Sequence, residues 1–324
     1  MSKVRVLFLG TPDFAVTCLK GLFEDSHFDI VGVVTQPDRP AGRKMQLQPS
    51  AVKSFCLAHG LRVVSPESVN TETMLQQLEV WGAEVAVVVA FGQLLSDKFL
   101  KLFPLGAVNV HGSLLPKWRG AAPIQRSIEF GDTETGVVLQ KVVKKLDAGD
   151  VLGVRSIKIS NETDAKMLYE QMAKLGADLL QVELMDYVRG NLAGEPQNSE
   201  NMTYARKIEK AEGEIDWSMT AAQISQKIRA FVMGPGTWTY HQKNKIKIHK
   251  VSLVSFEKNR TADSLKSPGV VLKAEDSDIW VQTAEGVIAL LELQQESRNR
   301  INSTEFLKGY PLKVGDQFER ATNE

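Results

Sequence analysis

The amino-acid sequence predicts an α/β protein with two domains, a doubly wound parallel sheet followed by a smaller antiparallel β-barrel. The chain has 324 residues, more than one hydrophobic core usually serves. Over the first two-thirds, short and nearly uninterrupted apolar segments alternate with helical patterns, which is typical of strands covered on both faces. The last third contains short strands in which apolar and polar residues alternate, a pattern that favours a small barrel.

Five apolar segments and a long helix define the first domain, which we place at residues 1–189. The helix spans about 163–188, and its Leu and Met stripe at helical spacing predicts core packing. Thr11 and Pro12 fit the N-cap and first position of an earlier helix. No Gly-x-Gly-x-x-Gly follows the first strand of this Rossmann-like sheet, which argues against a dinucleotide cofactor. The predicted strands are 4–9, 30–35, 61–64, 85–91 and 107–111.

A polar run rich in Gly, Pro and Asn predicts a linker over residues 190–204. The second domain then covers 205–324 and begins with a helix near 220–231. Its predicted strands are 237–241, 245–254, 269–272, 279–283 and 287–293.

The charge balance gives no sign of a polyanionic partner, because lysine plus arginine and aspartate plus glutamate both total 39. A nucleic-acid partner would need a local basic patch. Cys18 and Cys56 have no cysteine or histidine at ligand spacing, so we expect neither a disulfide nor a metal site. Without a leader pattern or a long apolar run, we expect a cytoplasmic protein with no membrane partner. We expect a monomer.

The most informative segment is the predicted strand 107–111, which carries Asn109 and His111. Residues two apart in a strand point to the same face, so the two polar side chains project together. Two donors that converge on one point can stabilise an oxyanion. A carboxylate such as Asp147 would fix the imidazole tautomer and favour its charged form. The alternative is a strand-end histidine that satisfies only local hydrogen bonds.

Three separated motifs resemble those of the folate-dependent formyltransferases. They are the Asn-x-His strand, Ser-Leu-Leu-Pro at 113–116 and Asp-Ala-Gly-Asp at 147–150. Within that superfamily, the longer sequences at 10–15, 35–43 and 113–125 are similar to the methionyl-tRNA formyltransferases, and the similarity reaches the last domain. The resemblance implies an OB-like second domain that binds tRNA.

The resemblance implies transfer of a formyl group from 10-formyltetrahydrofolate to the α-amino group of methionyl initiator tRNA, without a metal. Asn109 and His111 would stabilise the oxyanion, while Asp147 would orient and charge His111 and take the amine proton, directly or through water. Leu114 and Leu115 fit ordinary loop packing equally well. The implied folate-binding residues are Phe91, Gly92, Gln93, Leu94, Ser113, Leu114, Leu115, Pro116, Leu146, Gly149 and Asp150.

The segment 37–48 is long for a strand-to-helix connection and carries several basic residues, which indicates a functional loop. The resemblance implies that this loop enters the end of the tRNA acceptor stem and that Arg43 is its essential basic residue. Met45 and Gln46 stand where related proteins commonly have lysines, which predicts a weaker salt dependence of tRNA affinity. The implied tRNA-binding residues of the loop are Arg39, Gly42, Arg43 and Lys44.

A second basic element is the strand in which Lys245 and Lys247 alternate with Ile246 and Ile248. This pattern fits two interpretations equally well. One is a strip that contacts tRNA phosphates, and the other is a half-buried strand with a solvated basic side.

The Asn, His and Asp pattern alone does not identify the acceptor. Amino-sugar formyltransferases are the main alternative, because some have a similar second domain, whereas glycinamide ribonucleotide formyltransferases resemble only the first. The basic loop and the Arg-Gly-Ala-Ala-Pro sequence at 119–123 favour tRNA. In a folate-binding or RNA-binding protein without catalysis, the three polar residues would be incidental.

Overall fold

The structure is a computed structural model that describes residues 3–41, 45–255 and 267–321. The chain forms two compact units. The first comprises the residues up to Pro123, Glu134–Lys158 and Tyr169–Ala205. The second comprises Ile124–Thr133, Ile159–Leu168 and the chain from Arg206 onward. The domain boundaries at 189 and 205 remain a prediction.

A seven-stranded sheet forms the centre of the first unit. The strands of this unit are β1 Val4–Gly10, β2 Phe28–Val34, β3 Arg39–Ala41, β4 Gln46–Gln48, β5 Val63–Val64, β6 Val85–Val89, β7 Ala107–His111, β8 Arg119–Gly120, β9 Glu134–Lys141, β10 Val151–Lys158 and β11 Tyr204–Ala205. The central sheet has the order β10-β9-β7-β6-β1-β2-β5. Its five strands from β7 to β5 are parallel, which confirms the predicted sheet. The antiparallel β9 and β10 extend it and were not predicted.

Among the helices in the described residues, none is long and apolar enough to cross a membrane. The α-helices are α1 Asp13–Glu24, α2 Ala51–Ala58, α3 Glu72–Trp81, α4 Asp97–Leu100, α5 Pro123–Glu129, α6 Ala165–Val188, α7 Ala221–Ala230 and α8 Ser303–Gly309, with 3-10 turns at Ser199–Asn201 and Lys210–Gly213. The predicted start of α1 was wrong by one residue. Pro12 is the N-cap, and the Thr11 hydroxyl donates to the Phe91 carbonyl at 3.1 Å instead of capping the helix.

Three parallel strands, β1, β6 and β7, end at the same edge of the sheet. Gly10 pairs with Val89, and Val89 pairs with Val110. The residues that follow β6 and those at the end of β7 therefore lie close together. In open α/β sheets this edge carries the ligand site.

Residues 193–205, which we call the strap, pack along the first unit although most of them fall in the predicted linker. Glu195 and Val151 exchange two backbone hydrogen bonds of 2.8 Å. The Arg119 amide donates to the Thr203 carbonyl at 2.9 Å, and β11 pairs in parallel with β8. These backbone bonds fix the strap to the first unit.

The predicted loop at 37–48 contains two short antiparallel strands, β3 and β4, in which Arg39 pairs with Gln48. An ion pair of 2.8 Å between Lys53 and Asp38 holds its base. Three of the predicted tRNA-binding residues, Gly42, Arg43 and Lys44, lie outside the described residues.

The second unit is built on an antiparallel sheet, as predicted. Its strands are β12 Thr237–His241, β13 Asn244–Leu253, β14 Val271–Glu275, β15 Asp278–Gln282, β16 Val287–Gln295 and β17 Ile301–Asn302. The order is β12-β13-β16-β15-β14, and β17 pairs with β16. Glu319 bridges to Tyr240 in β12, and Gln317 bridges to Val270 beside β14, so the C-terminal segment joins the two edges into a barrel.

Candidate active site

The strand β7 brings polar groups to the functional edge because of its alternating pattern. Val108 and Val110 are buried in the sheet, while Asn109 is partly exposed. Gln140 of β9 lies directly opposite Asn109 in the antiparallel register. Side chains opposite one another share a face of the sheet. The polar face of this edge therefore includes a glutamine that the sequence analysis did not identify.

His111 is buried, and both of its ring nitrogens face acceptors. Nε2 lies 2.9 Å from the Trp118 carbonyl oxygen. Because a carbonyl only accepts, Nε2 carries the hydrogen and donates it. Nδ1 lies 3.7 Å from Asp147 Oδ1, which is an ion-pair distance and is longer than a hydrogen bond. Nδ1 is therefore the ring nitrogen that has no hydrogen-bond partner here.

Asp147 lies beside His111, as expected from the sequence, and its carboxylate is held by two donors. The Gly120 amide donates to Oδ2 at 2.9 Å, and Gln140 Nε2 donates to Oδ1 at 3.1 Å. The side chain is only 13% exposed. The carboxylate is thus fixed from β8 and β9 while it faces the imidazole.

Asn109 has a free side-chain amide as far as the described residues show, since none of them bonds to it. The side chain is partly exposed at the edge where the strands end. An amide NH₂ without a protein partner is available to a bound ligand. Asn109, His111 and Asp147 are therefore brought together in one site. The protein holds the Asp147 carboxylate with two hydrogen bonds and the His111 ring with one, and it leaves the Asn109 amide without a partner among the described residues.

Three of the non-glycine residues with a positive φ lie around this site. Ala90, Trp118 and Asp147 adopt left-handed conformations with φ of 46°, 59° and 45°. Non-glycine residues rarely adopt this region, and each instance costs roughly 1 to 3 kcal/mol. Such conformations persist only where surrounding contacts hold the backbone in place, so we expect these turns to be rigid.

The predicted folate segment after β6 divides into buried and exposed parts. Phe91 is buried and Gly92 has a φ of 86°. The Gln93 side chain accepts from the Val69 amide and donates to the Pro66 carbonyl, so its amide is used within the protein. Leu94 is 81% exposed.

The predicted loop at 113–116 is shaped by Ser113. Its buried hydroxyl donates to the Lys117 carbonyl at 2.6 Å. Leu114, Leu115 and Pro116 are partly buried. Ser113 therefore serves to close the loop, and its hydroxyl is used within the protein.

The turn after β9 combines an exposed leucine with a glycine that the backbone requires. Leu146 is 52% exposed. A Cβ at Gly149 would collide with the Lys141 backbone oxygen. The Asp150 carboxylate pairs with Lys141 Nζ at 3.2 Å. The turn is thus tightly packed at Gly149, while Leu146 is exposed beside the exposed Lys144 and Lys145.

The predicted tRNA-binding residues in the described part of the chain fall in both units. In the first unit, Arg39 is paired with Glu67 at 2.9 Å. In the second, Lys245, Lys247 and Lys210 form a group that we call the basic strip. The pKa of Lys245 is lowered by burial of its side chain and, to a smaller extent, by the positive charges of Lys210 and Lys247. The Lys245 ammonium lies 3.9 Å from the Trp238 ring centroid, within the range of a cation–π contact.

Sequence reasoning missed three residues that border the site, Gln140, Arg119 and Gln197. Gln140 lies in a strand that was not predicted, and Gln197 lies in the predicted linker. Arg119 was noted only as part of a motif. No spacing pattern connects the three, because they meet through long-range hydrogen bonds.

Two family models match the chain. The formyl transferase model covers residues 2–183, and the model for the formyl transferase C-terminal domain covers 207–311. A methionyl-tRNA formyltransferase of Bdellovibrio bacteriovorus is 58% identical over 320 residues, which are 98% of this chain and 99% of the relative.

Two solved structures share the fold. WlaRD, a sugar 3N-formyl transferase solved with dTDP and 5-N-formyl-THF, has a TM-score of 0.65 and 18% identity over 92% of this chain and 100% of its own. HypX from Aquifex aeolicus, in complex with tetrahydrofolic acid, has a TM-score of 0.60 and 17% identity over 98% of this chain and 51% of its own, so this chain spans about half of HypX. Given the two family models and the 58% identical relative, the chain belongs to the formyl transferase family, among the methionyl-tRNA formyltransferases.

Proposed function

We propose that this protein transfers the formyl group of 10-formyltetrahydrofolate to the α-amino group of methionyl initiator tRNA, for translation initiation, as a monomer in the cytoplasm. The observation that carries the proposal is the free Asn109 amide beside the His111 and Asp147 pair. The acceptor is inferred from the name of the 58% identical relative.

The reaction needs alignment and charge stabilisation more than a strong base. A terminal α-amine has a pKa of about 8, so part of it is neutral near pH 7. Its nitrogen attacks the formyl carbon, and the bond from that carbon to N10 of the folate then breaks. The amine loses a proton, and N10 gains one. The protein must hold the two reactants together and stabilise the negative oxygen that forms between these steps.

Asn109 and His111 are suited to stabilise that oxygen. The Asn109 NH₂ has no partner among the described residues. In a protonated ring, the Nδ1 hydrogen of His111 is open to a second acceptor, because Asp147 Oδ1 is 3.7 Å away. The Nε2 hydrogen is used by the Trp118 carbonyl, which holds the ring in place.

Asp147 is suited to stabilise the charged imidazole and to take the proton from the amine, directly or through water. Its oxygens each accept one hydrogen bond from the protein and retain capacity for another. The carboxylate can therefore receive a proton from the substrate without releasing its own supports.

The apolar groups around the site fit a folate. Leu94 and Leu146, at the tips of two predicted folate segments, are largely exposed. Apolar side chains and backbone groups are the usual lining of a site for a flat heteroaromatic ring. We propose that these leucines contact the pterin of the folate and that the loop at 113–116 frames its formyl end.

The test is formyl transfer by the purified protein from 10-formyltetrahydrofolate to methionyl initiator tRNA. Uncharged tRNA, glycinamide ribonucleotide and a nucleotide amino sugar serve as rival acceptors in parallel assays. Formylation of charged tRNA alone is the expected result. Transfer to the amino sugar alone would retain the catalytic residues and overturn the proposed acceptor. No transfer to any of them would overturn the enzyme proposal.

A further inference from the structure

Gln197 reaches from the strap to the turn that carries Asp147. Its Nε2 lies 2.7 Å from the Gly149 carbonyl oxygen, 3.0 Å from that of Asp147 and 3.2 Å from Gln140 Oε1. Its Oε1 accepts from Arg119 Nε at 3.1 Å and from Nη2 at 2.6 Å. Three acceptors surround Nε2 of Gln197, and two donors point at its Oε1. Only this orientation of the carboxamide places hydrogens toward the acceptors and the oxygen toward the donors.

Gln140 links Gln197 to the carboxylate of Asp147 through two hydrogen bonds. It is 1% exposed, accepts from Gln197 Nε2 and donates to Asp147 Oδ1 at 3.1 Å. A carboxylate only accepts, which fixes the Gln140 carboxamide in turn. Two amides therefore connect the strap with both the backbone and the side chain of Asp147.

Arg119 anchors the other end of this network. It is 1% exposed, and within the described part of the chain it makes no ion pair with a carboxylate. Its Nη1 donates to Met202 Sδ at 2.9 Å, and its remaining contacts go to Gln197. A buried guanidinium requires satisfied N–H groups. The strap supplies them, so Arg119 holds Gln197 firmly.

The backbone of the turn at 147–149 has an unusual conformation that these hydrogen bonds stabilise. Asp147 has a left-handed backbone, and Gly149 packs too closely on Lys141 for any side chain. The carbonyls of Asp147 and Gly149 flank one residue, and both face the Gln197 amide. One donor group thus fixes the backbone on both sides of Ala148.

We propose that Gln197 is a positioning residue for formyl transfer, which sets Asp147 relative to His111 through the carbonyls of 147 and 149 and through Gln140, with Arg119 as its anchor. The reaction named here rests on the proposed function, whereas the network does not. The strap is accordingly part of the catalytic unit.

Gln197→Glu is the decisive variant. It keeps the size of the side chain and an acceptor for Arg119, but it has no N–H for the two carbonyls. A misplacement of about 1 Å at a reacting group costs roughly a hundredfold in rate. We expect kcat to fall roughly tenfold to a hundredfold while KM for the charged tRNA stays unchanged. The acid limb of the kcat profile should move to higher pH, because the added carboxylate disfavours a second negative charge nearby.

Gln181→Glu is the matched control, because Gln181 also donates to a backbone carbonyl, that of Gly21, at 3.1 Å. Gln197→Leu serves as a second variant, which removes both halves of the carboxamide and should lower kcat at least as much. Hydrogen exchange of the Gly120 amide reports the position of Asp147 independently of enzyme activity, because this amide donates to Asp147 Oδ2. We expect faster exchange in Gln197→Glu and unchanged exchange in Gln181→Glu.

The proposal is overturned if Gln197→Glu leaves both kcat and Gly120 exchange unchanged. It is also overturned if kcat falls only in step with the melting temperature, with no change in the pH profile or in Gly120 exchange, because a purely structural role would act in that way. If the wild-type protein does not formylate methionyl-tRNA, the proposed function fails. Gly120 exchange still decides whether Gln197 positions Asp147.

Discussion

The candidate active site of the first unit and the basic strip of the second present their polar groups in opposite ways. His111 and Asp147 are 7% and 13% exposed, and protein groups hold both side chains. Lys247 is exposed, and the lysines of the strip have one another as neighbours. In a site that depends on fixed geometry, a substitution should mainly lower kcat. A surface built on charge should respond in affinity and salt dependence.

The largest effect is expected from Asp147→Asn. This variant keeps an acceptor for the Gly120 amide but loses the charge beside His111 and the ability to take a proton. Loss of a general base typically lowers the rate by about 10² to 10⁴. We expect a fall of this size in kcat with intact folding, measured by formyl transfer and by circular dichroism. Asp29→Asn, at a surface carboxylate near Arg5, is the control. A kcat within threefold of wild type would remove Asp147 from the mechanism.

Asn109→Ala should have the next largest effect. Removal of one oxyanion donor costs roughly a hundredfold to a thousandfold in kcat. The control is Asn191→Ala, since Asn191 is exposed and its side-chain amide donates to the Asp186 carboxylate. Near-normal turnover of Asn109→Ala would mean that the free amide has another purpose.

Arg43→Ala tests the predicted loop at 37–48 as a tRNA contact. A hydrogen bond to a charged group contributes roughly 1.5 to 3 kcal/mol, or about tenfold to a hundredfold. We therefore expect KM for the charged tRNA to rise by that factor while the folate KM stays constant. Steady-state kinetics with each substrate varied separately would measure both values. A change in the folate KM instead would contradict the loop assignment.

A smaller effect is expected from Lys247→Gln in the basic strip. One lost phosphate contact should weaken tRNA binding several-fold and reduce the slope of log affinity against log salt by about one. Lys273→Gln is a control outside the strip, because Lys273 lies in the same unit but is paired with Asp278 at 2.6 Å. Binding titrations at several salt concentrations measure the slope. Equal slopes for wild type and Lys247→Gln would favour the solvated-strand interpretation.

The smallest effect concerns pH. Because burial and the neighbouring Lys210 and Lys247 lower the pKa of Lys245, this lysine loses its proton earlier than an ordinary lysine as pH rises. Affinity for tRNA should therefore decline with rising pH in the wild-type protein. The decline should be smaller in Lys245→Arg, since arginine stays charged. Parallel affinity curves from neutral to alkaline pH would show that Lys245 does not contact the tRNA.

Local patterns were sufficient for most of the fold. The five parallel strands were predicted because continuous apolar segments are needed wherever both faces of a strand are covered. In β13, the alternation of Ile246 and Ile248 with lysines was confirmed, since both isoleucines lie in the barrel core. The strands β9 and β10 were missed, although β9 carries the glutamine that supports Asp147.

The sequence alone determined which residues are candidates for the chemistry, because residue type and two-residue spacing are local properties. Asn109 and His111 share a strand, and the motif around Asp147 is recognisable without coordinates. The roles assigned to these residues remain predictions. Their identities and their common location needed only strand geometry and the position of the strand ends.

Only the tertiary structure decided how these groups are held. The contact between Gln197 and the Asp147 turn spans 50 residues of sequence, and that between Arg119 and Gln197 spans 78. Hydrogen bonds over such separations leave no periodic signal, because each partner needs only a suitable polar side chain at its own position. The same holds for Gln93, whose amide is used by Pro66 and Val69. Burial imposes a pattern on neighbouring residues, whereas a distant hydrogen bond imposes none.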